Sequence, residues 1–365
     1  DVTAAAQEMG FSAARDTWPA AAPLLAYDGR QYGYPCNLDV YLLIYNKNVF
    51  DDFGVPYPTG LMTMEEFFAI AEKVNARTNP HSGGGRNVFA VSGFNWRILF
   101  GSLRGEYFSA SGIPEIAGSA ALRKAMETHR ERIFNRQLMP TSVEMKAMSG
   151  QGGWGATTLN QFAAGKFAMT LTGQWSLIAF TRMYRHQIEK ASGGPGDRPL
   201  RLGAVLIPRF SGHPPCYRLQ TRLAGINSHS PRREQALKFL QYLAGPVYAE
   251  SINRGMDALP GNPKYADLGL QPGPPDLARM EMHAVTKEAV SYGYSPRRSP
   301  FLLTSDVVRV LETQVSRMES NPGLSVEKLL RDAQAEIDVL LRRNLERNPD
   351  LMDLYRRTTG NPSSP

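Results

Sequence analysis

Short apolar runs of strand length alternate with amphipathic helical stretches along most of the chain, and this alternation limits its fold more than any other feature. Residues Val40 to Tyr45 (VYLLIY) form a nearly continuous apolar run between turn residues, which is typical of a strand buried on both faces. A capping box at Thr63 to Glu66 then opens a stretch whose apolar residues recur at helical spacing up to Val74. Because strands and helices go on alternating, the sequence predicts an α/β fold with mainly parallel or mixed sheets.

The stretch from Phe162 to Ser176 (FAAGKFAMTLTGQWS) joins a helix end, a strand and a tryptophan. Gly165 ends the helix, and the apolar residues between Phe167 and Leu171 alternate as in a half-buried strand. The strand leads directly into Gly-Gln-Trp, where a glycine permits close backbone approach and a large aromatic ring presents a flat apolar surface. From these residues alone, a cleft position and core packing are equally good interpretations of Trp175.

Length and charge narrow the class of protein. A chain of 365 residues, 42% of them hydrophobic, exceeds one ordinary domain, so we expect two lobes. The formal net charge is +7, but the 41 Lys and Arg residues are scattered, which argues against nucleic-acid binding. No apolar run approaches the roughly 20 residues that span a bilayer. The composition therefore predicts a globular protein without a membrane-spanning helix.

Motifs of metal, nucleotide and catalytic sites carry little weight in this chain. Residues Gly150 to Gly155 match G-x-G-x-x-G, but no strand precedes them and the next acidic residue is Glu189, so we expect a loop at the rim of a site. Cys36 and Cys216 lack metal-ligand spacing, which leaves two free thiols or one disulfide. Because no catalytic serine, H-E-x-x-H or Cys/His motif is recognisable, we predict no metal, no cofactor and no enzymatic activity.

Seven blocks between residues 27 and 341 carry a resemblance to a known family. In chain order they read DGRQYGYP, YLLIYNKNVFDDFGVPYPTGLMTMEEFFAIAEKV, FAAGKFAMTLTGQWSL, LGAVLIPRF, LAGINSHSPRREQALKFLQYLAG, GMDALP and SVEKLLRDAQAEIDVLL. This series resembles the extracellular solute-binding proteins of sugar ABC transporters, which include maltose-binding and glycerol-phosphate-binding proteins. The resemblance implies a two-lobed periplasmic-binding-protein type II fold, in which hinge strands join two α/β lobes that close over a sugar.

The resemblance also implies domain boundaries. Carried over by position, lobe 1 comprises residues 1–38 and 224–272, lobe 2 comprises 39–223 and 273–345, and 346–365 form a polar C-terminal tail. The family begins with a signal peptide and further strand-helix units of lobe 1, whereas this sequence begins DVTAAAQEMG, with no basic flank, apolar region or cleavage site. We therefore expect lobe 1 to be incomplete at its N-terminus and the signal peptide to lie outside this sequence.

A sugar-binding cleft needs carboxylates or amides for hydroxyl groups and aromatic rings for C–H faces. Asp39 matches an acidic position that contacts sugar in some relatives, so the resemblance implies that it accepts hydrogen bonds from hydroxyls. Trp96 and Trp175 match aromatic cleft positions and are the implied stacking platforms, with Gly173 allowing close approach. Further candidates are Tyr41, Asn37, Phe94 and Gln174. Ordinary packing is the alternative for each of these side chains.

The implied function is that of the substrate-binding component of an ABC importer, which captures a mono- or oligosaccharide and delivers it to the membrane permease. We expect a monomer in the periplasm or at the cell surface, touching the membrane only through the permease or a lipid anchor. A carbohydrate-active hydrolase with two carboxylates is one alternative. Another is a binder of an anionic ligand, such as a sugar acid or glycerophosphodiester, through Arg97, Arg104 or Arg222.

Two further expectations come from the alignment with the family. Some relatives place another stacking aromatic at the start of the helix after Pro300, where this chain has Phe301 as a substitute. The alignment also puts Cys36 just before the first hinge strand and Cys216 shortly before the returning one. It therefore implies a hinge disulfide in an oxidising compartment, which would restrain lobe closure.

Overall fold

A computed structural model describes residues 1–27, 29–79, 88–148, 156–190 and 198–360. The helices are α1 (Thr3–Glu8), α2 (Ala13–Asp16), α3 (Ala22–Leu25), α4 (Lys47–Phe53), α5 (Met64–Thr78), α6 (Trp96–Ser102), α7 (Ala120–Arg130), α8 (Ser142–Ala147), α9 (Ala156–Ala163), α10 (Leu177–Lys190), α11 (Arg233–Leu243), α12 (Pro246–Gly255), α13 (Arg279–Ser291), α14 (Thr304–Ser320), α15 (Val326–Arg347) and α16 (Pro349–Thr359). A π-helical turn spans Glu131–Asn135, and 3-10 turns span Gln174–Ser176, Pro263–Tyr265 and Pro275–Leu277.

The strands are β1 (Ala26–Tyr27), β2 (Arg30–Gln31), β3 (Tyr34–Asp39), β4 (Leu42–Asn46), β5 (Phe89–Ser92), β6 (Phe167–Thr172), β7 (Leu202–Val205), β8 (Tyr217–Arg218), β9 (Gln220–Ala224), β10 (Leu259–Pro260) and β11 (Gly293–Tyr294). Strands and helices alternate as predicted, so the α/β fold class is confirmed. The glycine-rich match at residues 150–155 lies outside the described residues.

The chain divides into two compact units. The first contains Asp1–Gly93 and Ser149–Ser295, and the second contains Phe94–Met148 and Pro296–Pro365. All of the strands given above lie in the first unit, and the described part of the second unit is helical. These units do not coincide with the predicted lobes, whose boundaries stay a prediction. No helix in the described ranges is both long and apolar enough to cross a bilayer.

The first unit is built around a mixed four-stranded sheet of order β5-β6-β4-β7. Strand β4 is antiparallel to both β6 and β7, and β5 is parallel to β6. Every residue of β4 is buried, as its continuous apolar run predicts. Every residue of β6 is also buried, so the prediction of a half-buried strand is wrong. Its small residues Ala168 and Thr170 are covered as fully as its large ones, and helices α4 and α9 both contact the strand.

A second, three-stranded sheet of order β10-β3-β9 lies in the same unit and carries Asn37 and Asp39, two of the predicted site residues. Strand β3 is antiparallel to both neighbours, with Asn37 opposite Arg222 of β9 and Pro260 of β10. Asp39 is the last residue of β3, and only Val40 and Tyr41 separate it from β4. Asp39 therefore lies where the chain passes from one sheet into the other.

Cys36 and Cys216 form no disulfide with each other, so the implied hinge disulfide is wrong. Cys36 lies in β3, at a register irregularity between Pro35 and Asn37, and packs against a cluster that contains Tyr34. Cys216 directly precedes β8, which pairs with β11 and not with β3. The register of β3 with β9 sets Cys36 beside Arg222 and Leu223, which follow Cys216 by six and seven residues, so the two cysteines do not lie side by side.

In the second unit, residues 349–359 form a helix where the sequence predicts a polar tail over 346–365. Helix α16 spans Pro349–Thr359, with the Asn348 side chain capping its first turn and Gly360 ending it at a φ of 69°. Its Tyr355 packs edge-on against Phe301 at a centroid distance of 5.5 Å. The tail prediction failed because this helix packs on Leu341 and Leu345 of the preceding helix and on Phe301, which is distant in sequence. Phe301 is thus a core residue of this unit, 1% exposed, and offers no free ring face.

Candidate functional site

Asp39 carries the most unusual carboxyl group of the first unit. Its side chain is buried, with 6% of the residue exposed. Oδ1 accepts hydrogen bonds from the backbone N–H of Val40 at 2.8 Å and of Gln174 at 3.4 Å. Oδ2 has no hydrogen-bond partner among the described residues. A buried oxygen without a donor is costly, because an unmade hydrogen bond forfeits about 1–3 kcal/mol, so Oδ2 is prepared to accept a hydrogen bond from a ligand.

Gly173 brings Asp39 and Trp175 together. A Cβ atom built at Gly173 would lie 2.2 Å from Asp39 Oδ2 and 2.7 and 2.8 Å from Cδ1 and Nε1 of Trp175. The space of the missing side chain is therefore filled by the carboxylate and by the edge of the indole ring. The backbone of Gly173 is extended, with a φ of −87°, so the position requires glycine for space and not for conformation. Trp175 itself is half-buried, which leaves part of its surface open to a ligand.

A third segment, at the end of α12, completes this group of residues. Gln174 Nε2 donates to Met256 Sδ at 3.8 Å, and Gln174 Oε1 is buried with no partner among the described residues. The next residue, Asp257, accepts hydrogen bonds on Oδ2 from Asn37 Nδ2 and Arg222 Nη1, both at 2.8 Å. The amide of Gln174 and the carboxylate of Asp39 therefore form a buried polar site with unfilled acceptors beside a half-exposed ring.

The structure thus assembles five of the eight predicted residues around one point: Asn37, Asp39, Gly173, Gln174 and Trp175. Tyr41 follows Asp39 on the link to β4 and is partly exposed. Phe94 and Trp96 belong to the other unit, where their rings are 1% and 3% exposed. A stacking role needs a free ring face, so for these two residues it stays a prediction.

Sequence reasoning did not single out Asp257 and Met256. Both lie in the block GMDALP, which carried the resemblance, but no local pattern marks either residue as functional. Their position follows from the antiparallel pairing of β10 with β3, which sets Leu259 opposite Leu38. Met256 also has a left-handed backbone, with a φ of 56°, a conformation that a residue other than glycine rarely adopts. That turn directs Asp257 to the side chains of β3 and β9.

Burial raises the pKa of Asp39 to about 7, and the nearby charge of Asp257 acts in the same direction. Backbone N–H groups of Val40, Gln174 and Trp175 oppose this shift by stabilising the carboxylate. The carboxyl therefore changes charge near neutral pH, and a ligand hydroxyl that donates to Oδ2 favours its ionised form. Among the described ranges no group of His, Cys, Asp and Glu side chains is arranged to hold a metal ion.

This pKa predicts a stability effect of unusual sign. Between its ordinary value of 3.8 and about 7, the folded chain retains a proton on Asp39 that the unfolded chain has released. The contribution of Asp39 to the free energy of unfolding therefore falls as pH rises through this window, by at most about 4 kcal/mol. Asp39→Asn, which cannot ionise, should lack the fall, so the difference in urea-unfolding free energy between variant and wild type should grow from pH 4.5 to pH 8. Carboxyl groups with lowered pKa values give the opposite trend of stability with pH. They are present in both proteins, so the difference in unfolding free energy removes their contribution. These groups are Asp16, Asp51, Asp267 and Asp332. A difference that stays constant with pH would show that Asp39 is ionised throughout.

Comparisons with known proteins extend over most of the chain. A sequence model of the family described as bacterial extracellular solute-binding proteins matches residues 1–279. A lactose-binding protein of Rhizobium radiobacter is 27% identical over 160 residues, which is 42% of this chain and 33% of that protein. The chain thus spans about a third of the length of this curated relative.

Solved structures share the fold. An ABC substrate-binding protein of Listeria monocytogenes, in complex with cycloalternan, superposes with a TM-score of 0.71 at 19% identity, covering 93% of this chain and 79% of that one. The sugar-binding protein MalE of Xanthomonas citri gives 0.67 at 16% identity, with 90% and 75% covered. MalE3 of T. maritima, with maltose bound, gives 0.64 at 17% identity, with 93% and 80% covered. At these identities the likeness concerns the fold.

Proposed function

Since the chain belongs to the family of bacterial extracellular solute-binding proteins, we propose that it is the substrate-binding component of an ABC importer and that it captures a carbohydrate. The observation that carries this proposal is the pairing of Asp39 with Trp175 over Gly173. It joins a hydrogen-bond acceptor without a donor to a partly exposed aromatic ring, and these are the two kinds of contact that a sugar requires.

The geometry assigns a role to each group. A sugar hydroxyl donates to Oδ2 of Asp39, which has no donor in the described structure, and a second hydroxyl donates to the unfilled Oε1 of Gln174. An apolar C–H face of the same sugar ring packs on the open part of Trp175. Because the site is buried on the Asp39 side, these hydrogen bonds form where few waters compete, and this makes each one selective for a correctly placed hydroxyl.

The proteins that share the fold or part of the sequence support a saccharide ligand. Their names or structures refer to lactose, to maltose and to cycloalternan. These ligands differ in size and linkage, so the resemblance supports the class of ligand and not one particular sugar. The ligand is delivered to the permease subunits of the importer. The chain acts as a monomer outside the cytoplasm, in the periplasm or as a cell-surface lipoprotein.

One observation favours a second candidate, a carbohydrate-active hydrolase. Asp257 lies near enough to Asp39 to raise its pKa, so the site holds two carboxyl groups, one of them protonated near neutral pH. Glycosidases use such a pair as acid and as base or nucleophile. However, Asn37 and Arg222 already donate to Oδ2 of Asp257, which holds that carboxylate in place and reduces its freedom to act on a substrate. The binding function therefore fits the contacts better.

A thermal-shift screen with product analysis separates the two candidates. The wild-type chain is incubated with maltose, lactose, mannobiose and longer oligosaccharides, and both its Tm and the sugar composition are followed. A binding protein gains stability from its saturating ligand and returns that ligand unchanged. Shorter sugars that accumulate with the wild type but not with Asp39→Ala would overturn the binding proposal. A Tm that no sugar raises would remove the saccharide as ligand.

A further inference from the structure

The first unit contains a cavity of about 550 Å³ that the carbohydrate proposal does not use. It lies between α10, the end of α12 and the segment that leads into α13. This volume is in the range of small-molecule sites, which commonly measure about 300–1,000 Å³. None of the residues Asp39, Gly173, Gln174 and Trp175 lines it, so it is a separate space.

Arginine side chains dominate the wall of this cavity. Arg182 and Arg185 come from α10, Arg254 from the end of α12 and Arg279 from the start of α13, and Glu189 is the one carboxylate among the lining residues. Arg182, Arg185 and Glu189 lie on one face of α10, because they are three, four or seven residues apart. Three elements that are distant in sequence thus bring four guanidinium groups to one space.

The positive charge of the cavity is only partly compensated. Arg254 pairs with Glu250 on its own helix, and Glu189 adds one negative charge to the described wall of the cavity. Arg182 and Arg185 make no hydrogen bond or ion pair with any residue in the described ranges. Two positive charges therefore remain without a counter-charge among the described residues.

Arg279 is held in place for a ligand. Its Nη2 donates to the backbone carbonyls of Asn253 and Arg254, at 3.2 and 2.6 Å, and these bonds fix the guanidinium plane. Its Nε is buried without a partner, and burial lowers the pKa of the group. Because Nη2 is engaged by the two carbonyls, Nη1 and Nε are the donors that Arg279 can offer to an oxyanion.

The floor of the cavity is apolar. Leu177, Met256 and Leu277 line it and are 1%, 2% and 1% exposed. An inorganic ion would leave this surface uncovered, whereas the carbon skeleton of an organic ligand would pack on it. The charges and the floor together define a ligand with an anionic end and an uncharged body.

We propose that this cavity binds a small organic dianion, a phosphate monoester or a dicarboxylate, whose oxyanion is held by Arg182, Arg185 and Arg279 and whose body lies on Leu177 and Met256. The site is independent of the carbohydrate site. It adjoins that site through Met256, which lines the cavity and also contacts Gln174. Occupation of the cavity is therefore positioned to affect the amide that faces the sugar.

The test is a calorimetric titration of the whole chain at low ionic strength with glucose 6-phosphate, with succinate and with glucose. We expect at least one of the two dianions to bind and glucose to leave the cavity empty. The double variant Arg182→Gln, Arg185→Gln should lower dianion affinity at least 10-fold, and 0.5 M NaCl should weaken wild-type binding, because exposed charges are screened. The matched control is Arg218→Gln, Arg232→Gln, which removes two exposed arginines of the same unit outside the cavity.

The titrations of the wild type, the cavity variant and the control decide whether the cavity binds the dianion. Binding that is weakened by the cavity variant but not by the control supports the site, and the dianion that binds distinguishes phosphate from carboxylate. Failure of both dianions to bind, or equal affinity in the cavity variant and the control, overturns it. Sugar binding should be unchanged in the cavity variant. If the cavity variant loses sugar binding while the wild type still binds the dianion, the arginines belong to the carbohydrate site.

Discussion

Replacing Gly173 by alanine is expected to lower sugar affinity by about 100-fold or more, which corresponds to about 2.7 kcal/mol. The added Cβ would lie 2.2 Å from Asp39 Oδ2 and less than 3 Å from two atoms of the Trp175 ring. Neither neighbour is the far end of a flexible side chain, because Asp39 is buried and tied to two backbone N–H groups. Because the added Cβ clashes with both the carboxylate and the ring, both must shift, and the substitution disrupts the hydroxyl acceptor and the stacking surface together.

The measurement is a sugar titration of Gly173→Ala beside Gly118→Ala. A Cβ at Gly118 meets nothing within 4 Å, so this control adds the same methyl group where there is room. Overpacking at Gly173 should also cost about 1–3 kcal/mol of folding stability, which urea unfolding reports. If Gly173→Ala binds sugar within threefold of the wild type, the close approach of Asp39 and Trp175 has no part in recognition.

Replacing Trp175 by alanine is expected to weaken sugar binding by about 5- to 150-fold, which corresponds to about 1–3 kcal/mol for a lost aromatic platform. The indole is half-buried, so its removal also takes away packing against the site, but it should leave the fold intact. Trp175→Phe keeps a smaller ring and should retain part of the affinity. Sugar affinity that falls in the order tryptophan, phenylalanine, alanine at this position indicates stacking.

The folding stability of the Trp175 variants distinguishes a stacking role from core packing. A core tryptophan replaced by alanine typically costs about 3–5 kcal/mol of folding stability, whereas a ligand platform costs less. Calorimetry and urea unfolding of the same variants therefore give separate answers. A large loss of stability together with unchanged affinity would make Trp175 a core residue and contradict its assigned role.

Where neighbouring residues carry the information, the sequence predicts the fold and part of the site well. The apolar run from Val40 to Tyr45 overlaps β4, and the apolar residues after Gly165 overlap β6, although the burial of both faces of β6 was not predicted. Glycine at position 173 leaves room for close neighbours, and the Asp39 carboxylate and the Trp175 ring occupy that room, while the role of Gly173 toward a ligand stays a prediction. Such predictions need only the residues next to each other in the chain.

The rest depends on contacts between distant residues. Asp257 meets Asn37 only because β10 pairs with β3, and nothing near Asp257 in the sequence indicates this. Helix α16 packs through Tyr355 on Phe301, so a segment that looks like a polar tail is held by tertiary contact. The order of the family blocks puts Cys36 and Cys216 near a hinge, but the register of β3 with β9 separates them. In each case the missing information is the pairing of strands or helices.

The central claim is that the chain binds a saccharide through Asp39. It is tested most directly by calorimetric titration of the wild type and of Asp39→Ala with maltose, lactose and mannobiose at pH 8, where the carboxylate is ionised. Saturable binding of at least one sugar at a single site, reduced at least 10-fold in Asp39→Ala, is the predicted result. Absence of binding by every sugar, or the same affinity in both proteins, would contradict it.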